Sequence, residues 1–343
     1  LGAAARRMLV ILDGANTTSA ALVAHALAPN CVHYLLASHS SLTEHSHPHA
    51  LRHLGLTPML RLDIRLSEAA GSSIVLRMLG QMLKVWETID ASPEEAIHHP
   101  PIGSLCSPLP PLRRGKLICR NAMPPPPNQS SMSACQYRLD NLAKPIHSLG
   151  YLERIAVQLA GVMHRECPPI NTQAALLLIT EKKELPADLT RILSALTDAR
   201  GIPVHILTSN DRKEAYAVAY QLTRTHPLLI LGAYEQEDCT PITDALHGAA
   251  AADSLVLPGD ARADDIAHKT EEKSPTLAPY ILHVLPDMLT IDAELTAGIE
   301  GLLALDIVRA ALHVVNDMKT FTETGVAVAI DGAGAGRQVR EQA

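Results

Sequence analysis

"MLVILDGANTTSAALVAHALAPNCVHYLLAS", residues 8–38, opens on an apolar run that stops at Asp13-Gly14. It passes into small and apolar residues at helical spacing, with Thr17, Thr18 and Ser19 as candidate caps, and closes on a second apolar run. The pattern predicts strand, turn, helix and strand. "HALRHLG" then predicts a helix closed by Gly55, and "SSIVLRMLGQMLKVWETI" a longer one. Alternation of this kind means parallel strands with crossover helices, and such sheets bind ligands beyond the carboxyl ends of their strands.

Residues 91–135 break the pattern with Pro- and Ser-rich text, including "NAMPPPPNQSSMS", whose proline run favours an extended linker. Order returns at 136. Leu152, Ile155, Ala156, Leu159, Ala160 and Met163 fall on one helical face. "AALLLIT", "IPVHILT" and "PLLILGA" predict three strands, separated by helices near 186–199 and 211–225, and "DSLVLPG" follows them. The expected fold is α/β, a parallel Rossmann-like sheet flanked by helices, in two related units (1–90 and 136–330) joined by the linker at 91–135 and followed by a tail at 331–343. "GAGAG" in that tail is followed by no helix, and no G-x-G-x-x-G stands between a strand and a helix. A generic dinucleotide site is therefore disfavoured.

Composition agrees. Of 343 residues 47% are hydrophobic but 3% aromatic, so the core must be aliphatic, which suits parallel sheets buried on both faces. A net charge of −7 gives no general attraction to phosphate backbones or anionic lipid, so neither nucleic acid nor a membrane is an expected partner. Six cysteines without C-x-x-C spacing indicate free thiols in a reducing cytoplasm, and no apolar run reaches the length of a membrane span. "EHSHPHALRH" places His45, His47, His49 and His53 close together with His39 nearby, yet alternate spacing across Pro48 does not make donors converge. No metal and no cofactor is expected. The charge runs "EKKE" at 181–184 and "KTEEK" at 269–273 read as solvated faces.

The chain also repeats itself. "RLDIRLSEAAGSS" (61–73) and "DMLTIDAELTAGIEG" (287–301) end longer blocks in which strand, Gly turn, helix, strand, loop, strand and Gly-containing turn are expected to recur in the same order. Glu68 in the first stands where the second has Ala297.

At these blocks the sequence resembles the nicotinate-nucleotide:5,6-dimethylbenzimidazole phosphoribosyltransferase family. "ILDGANTTSAALVAHALAPNCVHYLLASHSS" and "ALRHLGLTPMLRLDIRLSEAAGSS" resemble the family's C-terminal third (LLDG, ASHRSAEPGH, LGLTPLLDL, RLGEGTGA). "LDNLAKPIHSLGYLERIAVQLAGV" resembles its opening, and "ALDIVRAALHVVNDMKTFTETGV" its last helix. The order implies a tandem in which the first copy lacks the family's front and the second lacks its middle. The family's DHGV, QEVT and GNTT segments have no counterpart here, since "GANTTSAA" (14–21) sits within the LLDG block.

The resemblance implies a pentosyltransferase moving phosphoribose from nicotinate mononucleotide to dimethylbenzimidazole in cobalamin biosynthesis, with Glu68 as base. A carboxylate base needs apolar surroundings, because burial brings its pKa toward neutrality. The family's glycines beside it are Ser67 and Ala69 here. Asp13 and Gly14 fall on LLDG, and Ser41 on the second serine of SHRS, which implies contacts to the sugar phosphate. Lys144 and Ser148 belong to the family's KPPGSLG opening, altered by Ile146 and His147. In the second block Asp13 is matched to Leu231, Glu68 to Ala297 and the serine loop to "LPGDARADD", so that copy is expected to keep the fold and lose the chemistry. The family is homodimeric, which implies a homodimer. The alternative reading is an inactive paralogue serving as a nucleotide-binding or protein-interaction scaffold.

Overall fold

The computed structural model describes residues 1–40, 44–66, 68–90, 124–198, 200–208, 212–284, 288–290 and 295–326. After a short helix α1 (Gly2–Ala5), the first unit runs β1 (Val10–Leu12), α2 (Ala15–Leu27), β2 (Leu35–Ala37), α3 (Ser46–His53) and α4 (Ala70–Asp90). β1 and β2 pair in parallel, Leu12 opposite Ala37. β2 is shorter than the apolar run "VHYLLAS" predicts, because Pro29–Tyr34 forms a 3-10 helix that carries the chain off α2. The expected helices at 49–55 and 72–89 are present, each starting earlier than its apolar pattern.

The second unit runs α5 (Gln129–Asn141), α6 (Tyr151–Val162), β3 (Ala174–Thr180), α7 (Ala187–Asp198), β4 (Val204–Leu207), α8 (Arg212–Thr223), β5 (Leu228–Tyr234), α9 (Thr240–Ala250), β6 (Leu255–Pro258), α10 (Ala261–Lys273) and α11 (Ile299–Asp317). Its four strands are all parallel, in the order β4-β3-β5-β6. Every residue of β3 is buried, as a central strand covered on both faces requires. On α6 the expected stripe is buried at Leu152, Ile155, Ala156, Leu159 and Ala160.

α5 starts at Gln129, inside the stretch expected to be linker. The side chain of Asn128 accepts from the Ser131 amide at 2.9 Å, and this cap starts the helix directly after the prolines. Residues 91–123 and the tail at 331–343 lie outside the described residues.

The two units meet along residues 59–66, where the repeat predicts a third strand and the described residues form only isolated bridges of Leu60 with His39 and with Leu289. The Arg61 amide donates to the Met288 carbonyl and the Thr290 amide to the Met59 carbonyl, each at 2.8 Å, and the Tyr151 amide donates to the Leu62 carbonyl at 2.9 Å. Leu60, Leu62, Ile64, Ile74, Val75 and Met78 join the same apolar core as the second unit's strands and helices. A smaller cluster of Leu12, Ala21 and Leu54 sits under α2.

Candidate functional site

The site is assembled at the carboxyl end of β1. The Thr17 hydroxyl accepts from the amides of Asp13 (2.9 Å) and Gly14 (3.1 Å) and donates to the Gly14 carbonyl, which turns the strand straight into α2. Asp13 is buried, and its carboxylate accepts from the amides of Ala69 at 3.0 Å and Ser72 at 2.9 Å. Those amides lie at the N-terminus of α4, where free N–H groups and the helix dipole favour an anion. The aspartate expected to face the sugar phosphate thus spends one acceptor site on each oxygen fixing the turn that carries Glu68. Glu68 itself is exposed at the head of α4. Ser41 lies outside the described residues.

Three further side chains close on this turn. Buried Ser38 donates to the Leu12 carbonyl at 2.7 Å and stands 3.1 Å from His39 Nδ1. His39 and His47 meet edge to face at 6.0 Å, and His47 Nε2 is 3.1 Å from the Thr18 hydroxyl. Burial holds both imidazoles below their ordinary value, although the charge of Asp13 pulls each the other way. His47 Nδ1 is buried without a hydrogen-bond partner among the described residues. Gly71 lets α4 approach, since a Cβ there would stand 2.1 Å from His39 Nδ1. His45, His49 and His53 are exposed, so the histidine-rich stretch splits into an inner pair and an outer set. Sequence reasoning passed over the inner pair. Its one signal is that His39 directly follows the serine ending the second apolar run, at the carboxyl edge of the sheet.

The second unit differs by one register position from the sequence matching. The Ser38 amide donates to the Leu12 carbonyl, and the Gly259 amide to the Leu231 carbonyl, so Leu231 is the counterpart of Leu12 and Gly232 that of Asp13. Continuous apolar strands carry no alternation from which that register could be read. At Gly232 the turn closes onto the strand: the Ala297 amide donates to the Ala233 carbonyl at 3.1 Å, and a Cβ on Gly232 would lie 2.6 Å from the Ala297 carbonyl carbon. A carboxylate does return, from the end of β6. Buried Asp260 accepts from the amides of Ala233 (2.7 Å), Ala263 (2.9 Å) and Gly298 (3.1 Å). Burial raises its pKa against those bonds. Burial and the charges of Asp260 and Asp264 push Glu300 up to about 7.

Beside them His283 lies between Asp264 (2.6 Å) and Glu271 (3.1 Å) and stacks on His268 at 3.8 Å. Asp264, His268 and His283 have donor atoms within 4.8 Å of one another and are candidates to hold a cation. The near-parallel rings, however, set their in-plane lone pairs side by side instead of converging. Glu271, from a run read as solvated, is thereby part of an inward-facing network. Asp140, His147 and Glu153 form a second such group. In the family-like opening, Lys144 makes a buried 2.8 Å ion pair with Glu153, whose carboxylate also accepts from the Leu149 amide at 3.0 Å. That fixes the loop before α6.

A family model described as phosphoribosyltransferase matches residues 1–96 and 124–182. Nicotinate-nucleotide–dimethylbenzimidazole phosphoribosyltransferase of Halalkalibacterium halodurans is 46% identical over 85 residues, 25% of this chain and 24% of its own length. That of Chlorobium chlorochromatii is 43% identical over 86 residues, with the same coverage of 25% and 24%. The chain thus spans about a quarter of the length of these curated relatives. A crystal structure of the corresponding enzyme from Thermus thermophilus aligns with 58% of this chain and 99% of its own at 16% identity and TM-score 0.43. The fold described above rests on strand pairing and not on that likeness. No described helix is long and apolar enough to cross a membrane. Over the matched segments, residues 1–96 and 124–182, the chain is similar to the nicotinate-nucleotide–dimethylbenzimidazole phosphoribosyltransferase family.

Proposed function

We propose that the first unit carries a phosphoribosyl-transfer site at the carboxyl end of β1, taking nicotinate mononucleotide and dimethylbenzimidazole. The observation that carries this reading is the Asp13 clamp on Ala69 and Ser72, which presents Glu68 at that edge within a family-matched segment. In the proposed step Glu68 takes the proton from one benzimidazole nitrogen while the other attacks ribose C1. The new C–N bond forms as the bond to nicotinate breaks, and nicotinate leaves with the bonding pair. The products are α-ribazole 5'-phosphate and nicotinate.

Glu68 is exposed, so the apolar surroundings a carboxylate base needs must come from the benzimidazole itself and from a second copy of the chain. That makes a homodimer part of the proposal. Gly14 and Ser41 would face the sugar phosphate, and Asp13 would act by positioning the turn. A cytoplasmic location suits this chemistry and the free thiols of Cys31, Cys135, Cys167 and Cys239.

The test is nicotinate release from nicotinate mononucleotide, with and without dimethylbenzimidazole, beside Glu68→Ala. Release that needs the acceptor and is lost in the variant supports the reading. No release, or release indifferent to Glu68→Ala, overturns it and leaves a scaffold that kept the fold without the reaction.

A further inference from the structure

At the opposite edge of the four-stranded sheet, where the strands begin, lies a cavity of about 490 Å³. Its charge comes from three arginines. Arg77 belongs to α4 of the first unit, Arg200 to the turn after α7, and Arg309 to α11. Thr172 and His226, from the segments leading into β3 and β5, add polar groups to the wall.

Among the described residues these guanidinium groups share one carboxylate. Asp306 is 2.8 Å from Arg200 Nη2 and 3.7 Å from Arg77 Nε. Arg200 also donates to the Leu302 carbonyl, but its Nε is buried without an acceptor among the described residues and its side chain is 3% exposed. Burial holds Arg200 and Arg309 below the usual arginine range, and Arg77 adds repulsion at both. Of the two histidines in the wall, His313 faces its own carboxylate, Asp317, at 2.6 Å, and His226 Nδ1 lies 2.9 Å from the Thr225 hydroxyl. Three fixed positive charges against one negative charge, with a buried donor left over, give the cavity a wall that favours an anion.

We propose that this cavity binds the dianionic phosphate group of a small phosphomonoester. A phosphate carries about two negative charges, which matches the surplus, and its oxygens fit the planar donor forks of arginine. The volume falls within the range of small-molecule sites and leaves space beyond the phosphate for a sugar-sized group. Because Arg77 comes from one unit and Arg200 and Arg309 from the other, the bound anion also ties the two units together.

The test is titration calorimetry in low-salt chloride buffer with inorganic phosphate and with ribose 5-phosphate, on the full chain. Expected is saturable binding of both probes, the ester the tighter. Arg77→Ala and Arg309→Ala should each weaken it about tenfold or more, and Arg77→Lys less than Arg77→Ala, because charge returns without the fork. Arg224→Ala, at an exposed arginine outside the cavity, should leave it unchanged. Arg77 is half exposed, so its variants keep the fold, and circular dichroism checks this. No saturable binding, or binding indifferent to both cavity variants, overturns the proposal. Nicotinate release plays no part in the readout, so a failed transferase would leave this test intact.

Discussion

Gly232 holds the register position of Asp13, and the two side chains decide what stands at the end of each strand. Asp13 puts a carboxylate between strand and turn, which holds the Glu68 turn away from β1 and bonded through its amides. Gly232 puts nothing there, so the equivalent turn packs its backbone onto β5 and fills the space. A turn is therefore held at arm's length from β1 and packed directly onto β5.

Gly232→Ala should destabilise the protein by about 1–3 kcal/mol, since its Cβ would meet the Ala297 backbone, which has no softer path. Asp13→Ala should cost about the same for a different reason, two helix-start amides losing their acceptor. Urea unfolding midpoints measure both. A neutral Gly232→Ala would mean that the turn does not pack on β5.

Ala69 sits at φ 62°, in the left-handed region, and is exposed, so its methyl contributes strain and no burial. Ala69→Gly should raise stability by about 0.5–1 kcal/mol. Ala297 has nearly the same φ, 61°, but is fully buried, so Ala297→Gly should gain less or lose. Comparing the two melting temperatures tests this.

Glu300 reaches about 7 in the folded chain against 4.5 as its ordinary value. The folded state then holds the proton more tightly. Its contribution to stability is greatest below about 4.5, declines as pH rises toward about 7, and stays constant above. Glu300→Gln should flatten that decline and be more stable than the parent at pH 8 by on the order of 2 kcal/mol. Denaturant unfolding across pH 4–8 reads the difference, and a parallel profile in the variant would refute it.

Histidine ring titrations followed by NMR should separate into two sets. His39 and His47 should titrate below 6.5 because burial dominates. His283 should titrate above 6.5: burial lowers it, but its bond to Asp264 and the charges of Asp264 and Glu271 outweigh that. His283 accordingly stabilises the fold fully below 6.5 and loses that contribution as pH rises through its folded value. His283→Ala should remove this slope.

Much of this was legible in the chain. Apolar runs gave all six described strands to within a few residues, because a buried parallel strand needs continuous aliphatic side chains. Asp13 and Glu68 were singled out through family-like text. The cap at Asn128 was missed because "PPPPNQSS" has the composition of a linker.

What the sequence determined by itself is the local part: which segments run as strands and which as helices. Those features depend on side-chain periodicity and turn chemistry within a few residues. What the tertiary structure decided is which distant groups meet. Asp13 finds Ala69, His39 finds His47, and Asp260 replaces a carboxylate lost from another strand. Register in an evenly apolar strand and the meeting of three arginines from separate helices and turns depend on packing across the core, which no local pattern encodes.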